Sequence, residues 1–230
     1  MKFNGFQKLT LLDYPGKVAC TLFTAGCNLR CPFCHNASLV THIEEGFSYD
    51  EAEILDFLRK RQGVLEGVCI TGGEPLLQNG VTDFIKKIKE LGYSVKLDTN
   101  GSFPEKLTML AESKLIDYVA MDIKNCKEKY VLTAGITDLH IGNIEKSVEF
   151  LLSGKIPYEF RTTVVSQFHT PQDIEEIAKW IKGADKYFLQ NFVDSGDLIA
   201  DGLCAVSPET MQNMRAKAAK FIPNAAIRGI

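Results

Sequence analysis

The sequence contains no apolar run long enough to cross a membrane and no stretch typical of an export signal. Met1 and Lys2 lead into a segment that Asp13, Pro15 and Lys17 interrupt, so an apolar signal core cannot form there. We therefore expect a cytoplasmic protein without a membrane partner.

Basic runs are also missing, and the formal net charge is -3 with an isoelectric point near 5.9. Proteins that bind nucleic acid usually carry a clustered positive patch, so nucleic acid is not an expected partner. The sequence likewise lacks Pro/Ser-rich linkers, internal repeats and low-complexity tracts. Because 45% of the 230 residues are hydrophobic, the chain can bury a sizeable core, and we predict one domain over residues 1–230.

The seven cysteines do not suggest a disulfide framework, since their number is odd and four of them are isolated. The isolated residues are Cys20, Cys69, Cys126 and Cys204. The other three, Cys27, Cys31 and Cys34, stand close together in GCNLRCPFCHN (26–36). Cysteine chemistry is therefore concentrated in one loop, at residues 25–36.

Short apolar, β-rich runs alternate with segments of helical period along the chain. Nearly continuous apolar runs suit strands covered on both faces, and the alternation implies right-handed crossovers in one parallel sheet. The pattern predicts an α/β fold whose sheet is either open or curled towards a barrel. The six predicted strands are Val18–Thr24, Gly67–Thr71, Ser94–Thr99, Tyr118–Ile123, Tyr158–Val165 and Lys186–Phe192. The predicted helices are Tyr49–Arg61, Thr82–Leu91, Pro104–Ser113, Asn143–Ser153, Pro171–Ile181 and Pro208–Phe221.

Two kinds of signal mark where these helices begin. Pro104, Pro171 and Pro208 each open a helix, where the missing N–H leaves no bond unmade. Ser48 is the predicted N-cap of the first helix.

Polar residues follow the predicted strands directly. The cysteine loop follows the first strand, TGGEP (71–75) ends the second, DTNG (98–101) ends the third and MDIK (121–124) ends the fourth. Because the carboxyl ends of parallel strands meet at one edge of the sheet, we predict that the functional site lies there.

The cysteine loop is compatible with several chemistries. The pattern C-x-x-C-H at 31–35 matches haem attachment, but that chemistry accompanies export. A thiol–disulfide pair would use Cys31 and Cys34 and would leave Cys27 without a role. Zinc could take all three with a fourth ligand. Three thiolates at C-x3-C-x2-C could instead hold three irons of a four-iron cluster and leave the fourth iron open for catalysis.

The spacing of Cys27, Cys31 and Cys34, with Phe33 before the last cysteine, resembles the signature of the radical S-adenosylmethionine (SAM) superfamily. The GGEP turn (72–75) resembles that superfamily's SAM-binding turn. GFQKLTLLDYPGKVACTLFTAGCNLRCPFCHNASLV resembles the opening of the activating proteins of anaerobic ribonucleoside-triphosphate reductase, and its CHN is similar to that of glycyl-radical-enzyme activases. The resemblance implies a partial (β/α)6 barrel, which agrees with the six predicted parallel strands.

The resemblance also implies the cofactors. Cys27, Cys31 and Cys34 would bind a [4Fe-4S] cluster whose open iron is chelated by the amino and carboxylate groups of SAM. Reductive cleavage of SAM would give methionine and a 5′-deoxyadenosyl radical, while the protein positions and shields the cofactor. The residues expected to bind SAM or to lie near it are Phe33, Asn36, Gly72, Gly73, Glu74, Asp98, Thr99, Asp122, Lys124, Arg161 and Gln190.

Some of these expectations carry a specific physical reason. The two glycines of the GGEP turn (72–75) would let the backbone approach the ligand without a Cβ in the way, and the Glu74 region would receive the SAM amino group. Asp98, Thr99 and Asp122 could also hold a monovalent cation through oxygen ligands. A β-turn with an Asx hydrogen bond is the structural alternative at the DTNG stretch.

The remaining features have weaker signals. Phe33 is expected to pack over the adenine. His42, His140 and His169 show no partner pattern, so we predict that they are loop or surface residues. No role is predicted for residues 194–206.

The resemblance implies an enzyme that removes a hydrogen atom from a glycine of a partner enzyme. The expected partner is anaerobic ribonucleoside-triphosphate reductase, and the expected electron donor is a flavodoxin- or ferredoxin-type protein. A radical SAM enzyme acting on a small molecule, similar to 7-carboxy-7-deazaguanine synthase, is one alternative. A zinc-stabilised binding module is another.

Overall fold

The computed structural model describes residues 1–42 and 47–229, which contain ten strands and eight α-helices. The strands are β1 Lys2–Phe3, β2 Gly5–Thr10, β3 Ala19–Thr24, β4 Tyr49–Asp50, β5 Gly67–Gly72, β6 Ser94–Thr99, β7 Tyr118–Asp122, β8 Tyr158–Val164, β9 Tyr187–Asn191 and β10 Ala225–Arg228. The helices are α1 Ala37–Thr41, α2 Glu51–Lys60, α3 Val81–Glu90, α4 Pro104–Glu112, α5 Tyr130–Ala134, α6 Ile141–Leu152, α7 Pro171–Trp180 and α8 Pro208–Ala219. Within these ranges, no helix is both long and apolar enough to cross a membrane.

Eight strands form one sheet in the order β10-β9-β8-β7-β6-β5-β3-β2. The pairs from β3 through β10 are parallel, and β2 joins β3 antiparallel. The six predicted parallel strands are confirmed as β3 and β5 to β9, to within one residue at each end. Their continuous apolar character has the expected cause, because most residues of these strands are buried.

The two edge strands, β2 and β10, are missing from the prediction. β2 exposes most of its residues to some degree, so its sequence GFQKLT carries no buried apolar run. β10 has only four residues and lies parallel to β9 at the other edge. Edge strands are stabilised by pairing with a neighbour more than by burial, so their pattern is weak in the sequence.

The predicted helix starts at Pro104, Pro171 and Pro208 are confirmed. The start of the first helix is wrong, because α2 begins at Glu51 with Asp50 at its N-cap and not behind Ser48. The residues between them, β4, pair with β1 in a small antiparallel sheet. This pairing holds the backbone extended and delays the helix by two residues.

The main sheet curls into a partial barrel. In a flat sheet β3 and β9 would lie five strand spacings apart, about 24 Å. Thr21 of β3 and Gln190 of β9 nevertheless line the same cavity. Arg161 of β8 also reaches past β7 to Asp98 of β6, with 3.1 Å between Nη1 and Oδ2. The inner face of the sheet therefore surrounds a cavity that opens at the carboxyl ends of the strands.

Candidate functional site

The cavity has a volume of about 400 Å³ and brings together nearly all of the predicted site residues. Those that line it are Cys27, Cys31, Cys34, Phe33, Asn36, Gly72, Gly73, Asp98, Thr99, Asp122, Lys124, Arg161 and Gln190. They come from loops and strand ends at one edge of the sheet, as the β-α alternation predicts. Glu74 is the exception and does not line the cavity.

The cysteine loop is held in shape by its own backbone. The Gly26 N–H donates to Leu39 O at 2.7 Å, which closes the loop onto α1, and the Cys34 N–H donates to Cys31 O at 3.0 Å. The Arg30 guanidinium caps the Cys27 carbonyl at 2.6 Å. These bonds fix all three cysteines on one side of the loop, facing the cavity.

The thiols lie in surroundings that disfavour a bare negative charge. Burial raises the pKa of Cys27 to about 12 and also raises the pKa of Cys31, which is 7% exposed. Among the described residues, no three Cys, His, Asp or Glu side chains converge closely enough to hold a metal ion. The three sulfurs share the wall of one cavity, and a bound metal would supply the positive charge that their thiolate forms require.

The GGEP turn packs directly against the cysteine loop. The Gly73 N–H donates to Thr24 O and the Glu74 N–H to Gly26 O, both at 2.8 Å. A Cβ on Gly73 would lie 2.0 Å from the Gly26 carbonyl oxygen, and one on Gly72 would lie 2.4 Å from the Thr24 backbone. Close contact with the end of β3 and with the cysteine loop is thus a second reason for the glycines, and the approach of a ligand stays a prediction.

The buried side chain of Glu74 supports the packing of the GGEP turn. Its carboxylate is fully buried and accepts hydrogen bonds from Leu76 N–H at 3.0 Å, Thr99 Oγ1 at 2.9 Å and Asn100 N–H at 2.7 Å. Burial raises the pKa of Glu74 to about 7, although these hydrogen bonds oppose the shift. The Glu74 side chain joins the GGEP turn to the end of β6, and the SAM contact expected of the Glu74 region stays a prediction.

Two carboxylates in the cavity belong to a chain of ion pairs. Arg161 donates to Asp98 at 3.1 Å and to Asp122 at 3.0 Å, and Lys124 donates to Asp122 at 3.0 Å. Lys96 also contacts Asp98. Burial would raise the pKa of both carboxyls, but the neighbouring cations outweigh it and lower both. Each carboxylate therefore stays ionised with a cationic partner.

This network bears on two of the sequence expectations. The monovalent cation stays a prediction. The two carboxylates expected to bind it, Asp98 and Asp122, already accept hydrogen bonds from Arg161. The Asx turn at the DTNG stretch is present, because Asn100 Oδ1 accepts from the Ser102 N–H at 2.9 Å. The burial of Lys96, which is 1% exposed, and its contact with Asp98 are not predicted by the sequence, because a single lysine in an apolar strand does not indicate an acidic partner.

Phe33 lies at the cavity wall, where it is supported by two aromatic rings. Its ring centroid is 5.9 Å from that of Phe168 and 6.3 Å from that of His169. His169 lies in the loop between β8 and α7, as predicted, but it is not at the surface, since it is 3% exposed. Its Nδ1 accepts from the Val165 N–H at 3.1 Å, so Nε2 carries the hydrogen and donates to Lys124 O at 2.8 Å.

Residues 192–206, for most of which the sequence predicts no role, form a strap across the cysteine loop. The Asp197 carboxylate accepts from the Ser38 hydroxyl at 2.7 Å, and the Ala200 N–H donates to Pro32 O at 3.0 Å. His35 stacks on Phe192 with 5.7 Å between ring centroids. The strap ties the end of β9 to the loop that carries the cysteines.

Several residues that line the cavity were missed by sequence reasoning. They include Asp13, Thr21, Phe23, Cys69 and Thr163, whereas Thr71 and Asn100 lie in the TGGEP and DTNG stretches already predicted to be at the site. Most lie at alternate positions of a strand, where the side chains face the cavity. Because side chains alternate between the two faces of a strand, these residues could be identified once one inward-facing residue of each strand was known. Asp13 lies in the loop before β3, where it accepts from Thr21 Oγ1 at 2.5 Å, and no pattern marks it.

Comparison with known proteins decides the family. The model of the radical SAM superfamily matches residues 21–181, from β3 to the end of α7. The chain belongs to the radical SAM superfamily. It is therefore an enzyme of this class, and the family implies a [4Fe-4S] cluster and SAM as cofactors.

The relatives of this radical SAM protein include activating enzymes. A Methanocaldococcus jannaschii protein, named provisionally as a glycyl-radical enzyme activating enzyme, is 35% identical over 99% of this chain and 95% of its own length. The pyruvate formate-lyase-activating enzyme of Staphylococcus aureus is 27% identical over 79% of this chain and 76% of its own. The 7-carboxy-7-deazaguanine synthase of Hyperthermus butylicus is 40% identical, but over 35% of this chain and 33% of its own.

The fold is shared with solved structures at low sequence identity. Streptococcus suis SuiB bound to S-adenosylmethionine superposes with a TM-score of 0.69 and 16% identity. The match covers 90% of this chain and 49% of SuiB, so this chain spans about half of that protein. The residues present here fit the implied cofactors, because three thiols and a chain of ion pairs surround one cavity.

Proposed function

We propose that this radical SAM protein activates a glycyl radical enzyme, with anaerobic ribonucleoside-triphosphate reductase as the candidate partner. The observation that carries the proposal is the similarity to the Methanocaldococcus jannaschii protein over 99% of this chain. The cavity supports the proposal, since it offers three thiols beside fixed positive and negative charges.

In this proposal Cys27, Cys31 and Cys34 would hold the [4Fe-4S] cluster. When bound, the cluster would supply the electron that cleaves SAM. The ion pairs of Arg161 with Asp98 and Asp122 would present charges of both signs to the zwitterionic methionine part of SAM. Because these side chains are held by one another, they would need little reorganisation when the ligand binds.

The site must also exclude free small molecules, since a carbon radical abstracts hydrogen from a nearby C–H or S–H group. Phe33 is 3% exposed and the strap lies over the cysteine loop, so two sides of the cavity are covered. A partial barrel leaves one side open, which would admit a segment of a partner protein.

The test is electron paramagnetic resonance of an anaerobic mixture of the reconstituted protein, SAM, dithionite and a candidate reductase that contains α-deuterated glycine. We expect a glycyl radical on the reductase and deuterium in 5′-deoxyadenosine. Cys31→Ala should abolish both signals. A reductase with alanine in place of its target glycine should give neither.

The same experiment distinguishes the proposed activase from an enzyme that acts on a small molecule. The partial similarity to 7-carboxy-7-deazaguanine synthase favours this alternative. If no reductase or lyase acquires a radical while a pterin-like substrate is turned over, the activase proposal fails. A flavodoxin- or ferredoxin-type protein is the proposed electron donor. Replacing dithionite by either reduced protein should then support radical formation.

A further inference from the structure

The side chain of Asn100 donates a hydrogen bond to one of the sulfur atoms that line the cavity. Asn100 Nδ2 lies 3.7 Å from Cys27 Sγ and 2.9 Å from Asn28 Oδ1. The Leu29 N–H also points at Cys27 Sγ, at 3.4 Å. The Cys27 sulfur therefore accepts one hydrogen bond from the backbone and one from a side chain.

The orientation of the Asn100 amide follows from its other contacts. Its Oδ1 accepts from the Ser102 N–H at 2.9 Å, so the NH₂ group must be the end that faces Cys27. Its backbone N–H donates to the buried Glu74 carboxylate at 2.7 Å. Asn100 is 6% exposed, so water competes little for the amide. A donor that is fixed at both ends is thus aimed at a sulfur atom.

We propose that Asn100 is a positioning residue for the iron–sulfur cluster, whose reduction potential it raises through Cys27. Reduction adds one electron to the cluster and increases the negative charge on its sulfur ligands. A hydrogen bond to a ligand sulfur therefore stabilises the reduced form more than the oxidised form. The inference rests on the cluster that the family implies and is independent of which partner is activated.

Two substitutions separate this effect from simple support of the loop. Asn100→Asp keeps the oxygen that accepts from Ser102 but has no N–H to offer Cys27, and its charge would repel a thiolate. Asn100→Leu removes both functions. Asn143→Asp is the matched control, because Asn143 Nδ2 supports the same loop by donating to the Ser102 carbonyl at 3.3 Å.

The measurement is an anaerobic redox titration of each reconstituted protein with dithionite, followed by the electron paramagnetic resonance signal of the reduced cluster. Iron and sulfide analysis verifies the cluster content. We expect both Asn100 variants to lower the equilibrium constant for reduction by up to about tenfold, which is about 59 mV for one electron. Asn100→Asp should shift it at least as far as Asn100→Leu, and Asn143→Asp should stay at the wild-type value.

Three results would overturn the proposal. A wild-type potential in Asn100→Asp together with a shifted one in Asn100→Leu would mean that the side chain only supports the loop. An equal shift of the reduction potential in Asn143→Asp would also mean that the Asn100 side chain only supports the loop. Loss of the cluster from both Asn100 variants would assign the residue to cluster assembly instead. No partner enzyme is present in the titration, so failure of the activase proposal leaves this test unaffected.

Discussion

Arg161 connects carboxylates that lie on two different strands of the barrel. Its Nη1 and Nε donate to Asp98 and Asp122, and its side chain is 15% exposed. A charge held away from water needs a partner, and Asp98 and Asp122 each have a second cation beside Arg161, Lys96 or Lys124. The network stabilises the fold as well as shaping the cavity.

Arg161→Met should lower the free energy of unfolding by about 1.5–3 kcal/mol, because its hydrogen-bonded ion pairs with Asp98 and Asp122 are lost while each carboxylate keeps a lysine partner. Urea unfolding of the cluster-free protein at pH 7 measures this change. Arg59→Met is the control, since Arg59 pairs with Asp56 at the surface and should contribute about 1 kcal/mol or less. Equal losses in the two variants would contradict the buried network.

His169 makes the stability of the folded protein depend on pH in the mildly acidic range. Burial lowers its pKa below the ordinary value, although its hydrogen bonds to backbone oppose the shift. The unfolded chain therefore binds a proton more readily than the folded one as the pH falls below about 6.5, and the protein loses stability there.

Unfolding free energies of wild type and His169→Gln between pH 5 and pH 8 test this. The wild type should lose more stability than the variant as the pH falls below about 6.5, and the two curves should run parallel above it. Glu74, whose raised pKa acts in the opposite direction, cancels in the difference between the curves. Parallel curves over the whole range would show that His169 titrates normally.

At the scale of elements, the GGEP turn and the cysteine loop form one packed unit. Two backbone hydrogen bonds join them, and the glycine Cα atoms leave no space for a side chain between them. The Glu74 carboxylate then ties this unit to the end of β6. A substitution in the turn should therefore affect the binding of the cluster by the cysteines as well as the binding of SAM.

Gly73→Ala should reduce cluster content and SAM binding together, because the new Cβ would lie 2.0 Å from the Gly26 carbonyl oxygen. Iron analysis and equilibrium dialysis with labelled SAM measure the two effects. Gly142→Ala is the matched control, since a Cβ in this helix meets nothing within 4 Å and should be neutral or slightly stabilising. Weaker SAM binding with full cluster content in Gly73→Ala would show that the turn acts on SAM alone.

At the scale of the whole molecule, the curled sheet gathers cysteines, charges and glycines around one cavity, and of the isolated cysteines Cys69 also lines it. Cys20 and Cys69 are fully buried in strands, and Cys204 is exposed on the strap. The ligand spacing of the cysteine loop accounts for one cluster, so we expect one per chain.

Anaerobic reconstitution should give about four iron atoms per chain, the content of one cluster. Cys27→Ala, Cys31→Ala or Cys34→Ala should abolish the iron–sulfur absorbance, whereas Cys204→Ala should retain it. Full iron content and SAM cleavage in Cys31→Ala would refute the ligand assignment. Binding of a single zinc ion in place of iron would favour the zinc-stabilised module.

The sequence by itself determined the parallel strands, the helix starts at the prolines and the site at the strand ends. These features depend on local patterns: apolar runs, the missing proline N–H and polar residues that follow each strand. The same locality explains the errors at β10 and α2, where pairing with another strand and not the local pattern sets the structure.

Only the tertiary structure decided how the site residues act on one another. Lys96, Asp98, Arg161 and Asp122 stand on three different strands, so their pairing depends on how the sheet curls. The strap, the burial of His169 and the contact of Asn100 with Cys27 likewise join segments far apart in the chain. Sequence spacing carries no information on such contacts, because they form only after the strands have packed into a partial barrel.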